Sequence, residues 1–245
     1  MKAAGIIPAR YASTRFPGKP LVMIAGKPMI QRVYEQVAPV LDEVVVATDD
    51  QRIYDVVKAF GGKVVMTRND HPSGTDRCYE AFTMLDRQFD LVVNIQGDEP
   101  FIQPSQIQTL LACFDSPQVD IATLVRRITH DDGIDYLRSP NHPKVVMNAR
   151  RDALLFSRSV IPYLRGIPEE EYLVNGTFFA HIGIYAFRPE VLKKVVALPP
   201  SALELAESLE QLRWLENGYT IRCGLTNEKT IGIDTPEDLD RLNIY

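Results

Sequence analysis

The apolar positions change period repeatedly along the first half of the chain. "AAGIIPA" (residues 3–9) is a short apolar run ending at Pro8. "PMIQRVYEQVAPVL" places Met29, Ile30, Val33 and Val37 at helical spacing. "EVVVATDD" is a β-branched strand that turns polar at Thr48, and "QRIYDVVKAF" predicts a helix closed by Gly61–Gly62. "KVVMT" predicts a strand, "GTDRCYEAFTMLDRQF" a helix and "DLVVNIQ" another strand. "PSQIQTLLACF" reads as a helix opened by a proline, and "VDIATLVRRI" as a further strand. Continuous apolar strands separated by helices predict an α/β fold, with a parallel sheet covered on both faces.

The pattern breaks after Ile128. Residues 129–144 are rich in His, Asp, Pro and Asn and read as a loop. "KVVMNARRDALLFSR" predicts two strands around a turn at Arg150–Asp152, and "HIGIYAF" another strand. This middle region is expected to form a small antiparallel lobe inserted in the α/β domain. Helical patterns return at 189–197 and 202–217, and "YTIRCGL" is a late strand. "DTPEDLDRLN" predicts a last helix with Thr235 as N-cap and Pro236 at its first position. The division expected is an α/β domain of residues 1–128 and 198–245, with a smaller lobe at 129–197.

Composition narrows the function. Of 245 residues, 45% are hydrophobic, enough for a sizeable core. A net charge of −5 argues against bulk nucleic-acid binding, but local basic clusters can still hold a small anion. Cys78, Cys113 and Cys223 are far apart and form no CxxC, so reduced thiols are expected rather than a disulfide framework or a zinc site. "MKAAGIIPAR" does not read as a signal peptide. No apolar run approaches the roughly 18 residues that span a bilayer. A soluble, cytoplasmic protein is expected.

The unusual polar clusters follow strands, and open α/β sheets bind ligands outside the carboxyl ends of their strands. "PARYASTRFPGKP" (8–20) carries Arg10, Arg15 and Lys19 among Ser13, Thr14 and Gly18. Small residues and cations of this kind can cradle a polyphosphate, although neither GxxxxGK[ST] nor GxGxxG is present. "NIQGDEP" ends a strand on Asp98 and Glu99, either as a turn or as oxygen ligands for Mg²⁺. Asp234 in "IGIDTPEDL" also ends an apolar run, and it can share one metal with Asp98 if the strands converge. In "HPSGTDR", Ser73 can cap the next helix. Arg77 sits in that helix's first turn against the dipole, so it faces a ligand or lies exposed. "ELAESLEQLRWLENG" shows a leucine core face, with Glu207, Glu210 and Gln211 on other faces; a solvated acidic face accounts for them as well. In "HIGIY", a lone His181 is more often structural than catalytic. No Ser/His/Asp ordering and no HExxH is present.

Eight segments together carry a resemblance. "IIPARYASTRFPGKPL", "VATDD", "DHPSGTDR", "NIQGDEP", "LLFSRSVIP", "HIGIYAF", "LEQLRWLENG" and "GIDTPEDL" resemble the 3-deoxy-manno-octulosonate (Kdo) cytidylyltransferase family, the CMP-Kdo synthetases, over essentially the whole chain. The resemblance implies a Rossmann-like, mostly parallel sheet with a smaller lobe, of the nucleotide-diphospho-sugar transferase type. It implies CTP and Kdo as substrates, CMP-Kdo and pyrophosphate as products, Mg²⁺ as cofactor, a homodimer joined largely through the smaller lobe, and a role in lipopolysaccharide synthesis. No nucleic-acid partner and no membrane insertion are expected.

By the same resemblance, Arg10 and Lys19 match triphosphate-binding cations, with Ser13 in their loop. Pro8, Ala9, Ser73 and Arg77 match the surroundings of the cytosine and ribose. Asp98 and Asp234 match magnesium carboxylates. Gln96, His181, Tyr185, Glu210 and Gln211 match the sugar-acid pocket, with Arg158 beside them, and Glu99 is expected to support Asp98. The chain departs from the family pattern at Ala180, where Arg or Lys is common, at "SPNHPKVV" and at "SGTDR". The rival readings are a cytidylyltransferase for another sugar acid of the sialic-acid type, and a non-catalytic nucleotide sensor or scaffold.

Overall fold

The computed structural model of the chain describes residues 1–12, 16–229, 232–233, 235 and 238–239. Its first stretch contains β1 (Ala3–Ala9), the short pair β2 (Met23–Ile24) and β3 (Lys27–Pro28), α1 (Met29–Val37), β4 (Glu43–Thr48) and α2 (Gln51–Ala59). There follow β5 (Val64–Met66), α3 (Gly74–Thr83), β6 (Leu91–Asn94), α4 (Pro104–Ala112), β7 (Ile121–Ile128), α5 (Ile134–Arg138), β8 (Lys144–Met147) and β9 (Ala153–Ser157). The last elements are α6 (Tyr172–Asn175), β10 (Phe178–Phe187), α7 (Pro189–Val195), α8 (Ala202–Glu207), α9 (Glu210–Glu216) and β11 (Ile221–Thr226). This is the predicted α/β class: a mixed, mostly parallel sheet with helices, plus the small antiparallel pair β2–β3.

Two compact units form. One comprises residues 1–108 and 186–196 with the described residues beyond 229; the other comprises 109–185 and 197–229. Within the first, β6, β1, β4 and β5 lie side by side and parallel, with Ala3 opposite Leu91, Ala4 opposite Glu43 and Val46 opposite Val64. β1, β4 and β6 are apolar toward both faces, and their residues are almost all buried. The predicted α1 face is the one that closes over the core: Met29, Ile30, Val33 and Val37 are all fully buried. Asp50 caps α2 by accepting from Arg52 N–H, and Ser73 caps α3 by accepting from Asp76 N–H at 3.2 Å.

Within the second unit, β7 and β11 pair in parallel from Ile121–Ile221 to Arg126–Thr226, and β8 runs antiparallel to β9 and β10. The sequence division at 128/129 and 197/198 therefore falls inside this unit, because β7 and β11 bond to one another. Ile128, Leu137, Tyr172, Phe178 and Ala180 form a core cluster here.

Three predicted elements differ. Residues 129–144 hold a short helix, α5. A 3-10 turn at His130–Asp132, opened by a capping box between Thr129 and Asp132, leads through Gly133 (φ 80°) into it, and Leu137 anchors it in the core. The predicted helix 202–217 is two helices, broken at Ser208 in the left-handed conformation (φ 51°). The predicted long helix after Gly74 stops at Thr83. Most of the predicted last helix, including Pro236, lies outside the described residues; Thr235 is described, and its N–H donates to Asp238 Oδ2 at 2.9 Å.

Candidate active site

In the first unit a cavity of about 280 Å³ opens at the carboxyl ends of β1 and β6. Its walls bring together residues far apart in sequence: Pro8, Ala9 and Arg10, then Lys19, then Ser73 and Arg77, then Gln96 and Asp98. Lys19 Nζ lies 2.7 Å from Asp98 Oδ2, so a cation and an anion expected to serve different parts of a nucleotide complex are paired with each other. Arg10 is exposed on the rim and makes no ion pair to a described residue. Gly97 is required by closeness: a Cβ there would come within 3.1 Å of the Pro8 carbonyl oxygen. Gly18 holds the loop's return, with φ 73° and its N–H donating to the Tyr11 carbonyl at 2.9 Å.

The α3 N-terminus supplies another wall. Ser73 caps the helix, as the sequence predicted, and its hydroxyl also donates to Asp76 Oδ2 at 2.6 Å. Arg77 is not an exposed arginine: it is 4% exposed and lines the cavity. Its Nη1 donates to Thr67 Oγ1 at 2.6 Å and its Nη2 to Asp49 Oδ2 at 2.7 Å. His71, another lining residue, bonds through Nε2 to Glu80. Sequence reasoning assigned no role to Asp49, Thr67, His71 or Glu80. The one legible signal was that Asp49 follows directly on the end of a strand, in "VATDD".

Asp98 also has a backbone link to the chain's far end. Ile233 N–H donates to the Asp98 carbonyl at 3.0 Å, and Ile233 is buried with Ile24, Met29 and Leu239. Asp234, the next residue, and Ser13 both lie outside the described residues. Beside Asp98, Glu99 keeps some surface as a residue, yet its Oε2 is closed from solvent and has no hydrogen-bond partner among the described residues. Burial, reinforced by the Asp98 charge, pushes its carboxyl up to about 8. These are oxygen donors only, with one buried oxygen lacking a partner, and that chemistry fits a hard divalent cation. Among the described residues no group of three or more His, Cys, Asp or Glu gathers to hold a metal.

The second unit assembles a different cluster. His181 packs edge-on to Phe156, with ring centres 5.0 Å apart, and 5.5 Å from Tyr185. Burial lowers the ring's pKa to about 3, so the imidazole is neutral at physiological pH. Thr123 Oγ1 lies 2.8 Å from the Ile184 carbonyl and 3.0 Å from His181 Nε2. Its single proton serves the carbonyl, so the hydrogen-bond network assigns the ring proton to Nε2 and leaves Nδ1 an acceptor. Burial, then the charge of Glu210, raises the Tyr185 hydroxyl well above its usual value; that ring also packs edge-on to Trp214. Arg213 Nη2 donates to Glu210 Oε1 at 2.7 Å, and Gln211 is buried with no partner for its Nε2 among the described residues.

Arg158 spends three of its five donors on backbone carbonyls. Its Nε donates to the Glu207 carbonyl at 2.6 Å, its Nη1 to the Pro140 carbonyl at 2.7 Å and its Nη2 to the Ser208 carbonyl at 3.2 Å. It acts as a strap across the α8–α9 joint. Ala180 is buried in the apolar cluster with Phe178 and Tyr172, a place that would not accept the basic residue common there in the family.

Comparison with known proteins identifies the family. The cytidylyltransferase family model matches residues 4–228. The 3-deoxy-manno-octulosonate cytidylyltransferase of Phocaeicola vulgatus is 61% identical over 245 residues, covering 100% of this chain and 97% of that one. That of Bacteroides thetaiotaomicron is 63% identical over 239 residues, covering 98% and 96%. A solved structure of CMP:2-keto-3-deoxy-manno-octonic acid synthetase complexed with CTP superimposes with a TM-score of 0.90 at 47% identity, over 99% of this chain and 97% of that one. With a whole-length match in sequence and in fold, the chain belongs to the 3-deoxy-manno-octulosonate cytidylyltransferase family of cytidylyltransferases.

Proposed function

We propose that the chain transfers CMP from CTP to the anomeric hydroxyl of Kdo, releasing pyrophosphate, with the cytidine triphosphate in the first unit's cavity and the sugar acid on the second unit's polar cluster. The observation that carries this is the Lys19–Asp98 pair on the wall of a cavity at the carboxyl ends of β1 and β6.

The sugar hydroxyl attacks the α-phosphorus, the bond from that phosphorus to the bridging oxygen breaks, and the hydroxyl proton passes to solvent. No described side chain of the cavity stands as a general base, so positioning and charge neutralisation carry the step. Lys19 exchanges its partner, leaving the Asp98 carboxylate for the phosphate oxygens, and with Arg10 it neutralises charge building on the departing pyrophosphate. Pro8, Ala9, Ser73 and Arg77 surround the nucleoside, with Ser13 in the phosphate loop. Asp98, and Asp234 one residue beyond the Ile233–Asp98 bond, would hold Mg²⁺. When bound, that ion supplies Lewis acidity that lowers the sugar hydroxyl's pKa.

Gln96, His181, Tyr185, Glu210 and Gln211 hold the sugar acid; the buried, unpartnered Nε2 of Gln211 supports this. Arg158 serves the same pocket by fixing Ser208, two residues before Glu210. The product supplies lipopolysaccharide assembly, and the enzyme works as a cytoplasmic homodimer. No described helix is long and apolar enough to cross a membrane.

Pyrophosphate release from CTP and Mg²⁺ with a panel of sugar acids tests the reading. Release is expected with Kdo and not with a sialic acid. Turnover only with the sialic acid would make the chain a cytidylyltransferase of that other kind, and none with any acid would leave a nucleotide sensor.

A further inference from the structure

Arg77 is only partly spent. A guanidinium carries five N–H donors, and the two bonds to Thr67 and Asp49 use two of them. The remaining donors have no partner among the described residues, and the side chain carrying them is buried and lines the cavity. Because that side chain lines the cavity, a ligand seated there can take up the remaining donors.

The two acceptors that hold Arg77 belong to the scaffold and do not line the cavity. Asp49 directly follows β4 and Thr67 directly follows β5. Those strand ends are tied together, since Thr67 N–H donates to the Thr48 carbonyl at 2.8 Å. Short bonds from two joined strand ends fix the plane of the guanidinium, and a carboxylate acceptor makes one of them charge-assisted. What the cavity receives is a rigid edge that can donate and cannot accept. Cytosine presents two adjacent acceptors, O2 and N3. Uracil replaces the N3 lone pair with an N–H, which opposes a donor edge.

We infer that Asp49, with Thr67, is a positioning residue that sets the donor edge of Arg77 against the pyrimidine and so enforces the choice of CTP over UTP. The inference rests on the reading that the cavity takes the nucleoside. Discrimination by such means can be large, because the wrong base leaves buried polar groups unpaired.

The test uses the full chain, with Asp49→Ala, Asp49→Asn and Thr67→Val. Steady-state kcat/KM is measured for CTP and for UTP with Kdo and Mg²⁺, alongside KM for Kdo and calorimetric binding of each nucleotide alone. Asp49→Ala is expected to lower the CTP:UTP preference by about tenfold or more, chiefly through KM for CTP, with KM for Kdo unchanged. Asp49→Asn keeps an acceptor and retains most of the preference, and Thr67→Val, nearly isosteric, falls between. A folded Asp49→Ala with the wild-type preference overturns the inference, as does a parallel rise in KM for Kdo. If Asp49→Ala fails to fold, an unchanged preference in Thr67→Val overturns it equally. The calorimetry separates this inference from the activity it rests on. A wild type that turns over neither nucleotide yet binds CTP over UTP, with that preference lost in the variants, keeps the role of Asp49 while the transferase reading falls.

Discussion

In the first unit charge answers charge. Lys19 holds Asp98, Arg77 holds Asp49, and the cavity lined by Lys19, Asp98 and Arg77 has an exposed Arg10 at its rim. In the second unit the groups assigned to the sugar acid are mostly neutral and packed among rings: a neutral His181, a protonated Tyr185 and the Gln211 amide. The difference follows from the ligands. A triphosphate brings several negative charges, which only pre-arranged cations can neutralise without reorganising solvent. A sugar acid offers mainly hydroxyls, which neutral donors and acceptors sort by geometry at a smaller desolvation penalty.

The largest effect should come from breaking the charged side. Asp98→Asn is expected to lower kcat by about 10³-fold, on the scale of losing one electrostatic stabiliser of a transition state. KM for CTP should change little, because the substitution frees Lys19 for the phosphates. Asp234→Asn should follow the same pattern if the two carboxylates share one ion. Steady-state assays at saturating Mg²⁺ decide, and near-wild-type turnover in either variant would sink the metal assignment.

Charge in the second unit is structural, and the next prediction sharpens that contrast. Asp132 accepts from both terminal nitrogens of Arg126, at 2.9 and 3.0 Å, and from Thr129 N–H, while Lys229 Nζ lies 3.1 Å from it. Burial alone would raise its carboxyl, but the bonds from Arg126, Thr129 and Lys229 together outweigh it and hold the group well below the usual carboxylate range. A depressed carboxyl contributes stability that is present above the unfolded value of about 3.9 and is lost as pH falls through the folded one. Asp132→Asn leaves Arg126 buried without its counter-charge and should cost about 3–5 kcal/mol in urea unfolding near neutral pH. If it costs as little as an exposed ion pair, this charge is not structural.

A smaller effect is expected at Gly97. In Gly97→Ala the new methyl must displace the Pro8 carbonyl by a few tenths of an ångström. The expected cost is about 1–3 kcal/mol, and since Pro8 and Gln96 move with it, KM for CTP should rise more than KM for the sugar acid. Thermal unfolding and the two KM values check this.

How far such detail was legible in the sequence depended on whether local pattern or tertiary contact set it. The strands of the first unit were legible because each is an apolar run with its own turn signals, and their carboxyl ends located the cavity. The break at Ser208 was not. Leu205, Leu209, Leu212 and Leu215 run at unbroken helical spacing, and the left-handed joint is held by Arg158 bonding to the carbonyls of Glu207 and Ser208, a contact from 50 residues away. The helix at 134–138 was hidden by the polar residues around it, since it is short and only Leu137 of it is fully buried. Resemblance placed Arg77 near the nucleoside, but that it depends on Asp49 and Thr67 is visible only once β4 and β5 lie side by side.

The smallest expected effect is none at all, and it bears directly on the comparison. A histidine in a sugar-acid pocket with an ordinary pKa near 6.5 would titrate between pH 6 and 8, and binding of the anionic acid would tighten as it gained a proton. Here burial holds the His181 ring near 3, and its Nε2 proton is engaged by Thr123. KM for the sugar acid should therefore stay flat from pH 6 to 8. The ring's cost shows in stability instead. Below about 6.5 the unfolded chain takes up a proton that the folded ring refuses, so stability falls with acid by up to about 1.4 kcal/mol per pH unit until the folded value is reached. That window begins well above the one in which Asp132 acts and overlaps it only between about pH 3 and 4, so the two are separable above about pH 4 in one series of urea melts. His181→Asn should flatten the upper window and leave the lower one in place. A sugar-acid KM that falls with acid around pH 6.5 in the wild type would instead put a charged imidazole in the pocket and erase the contrast between the two units.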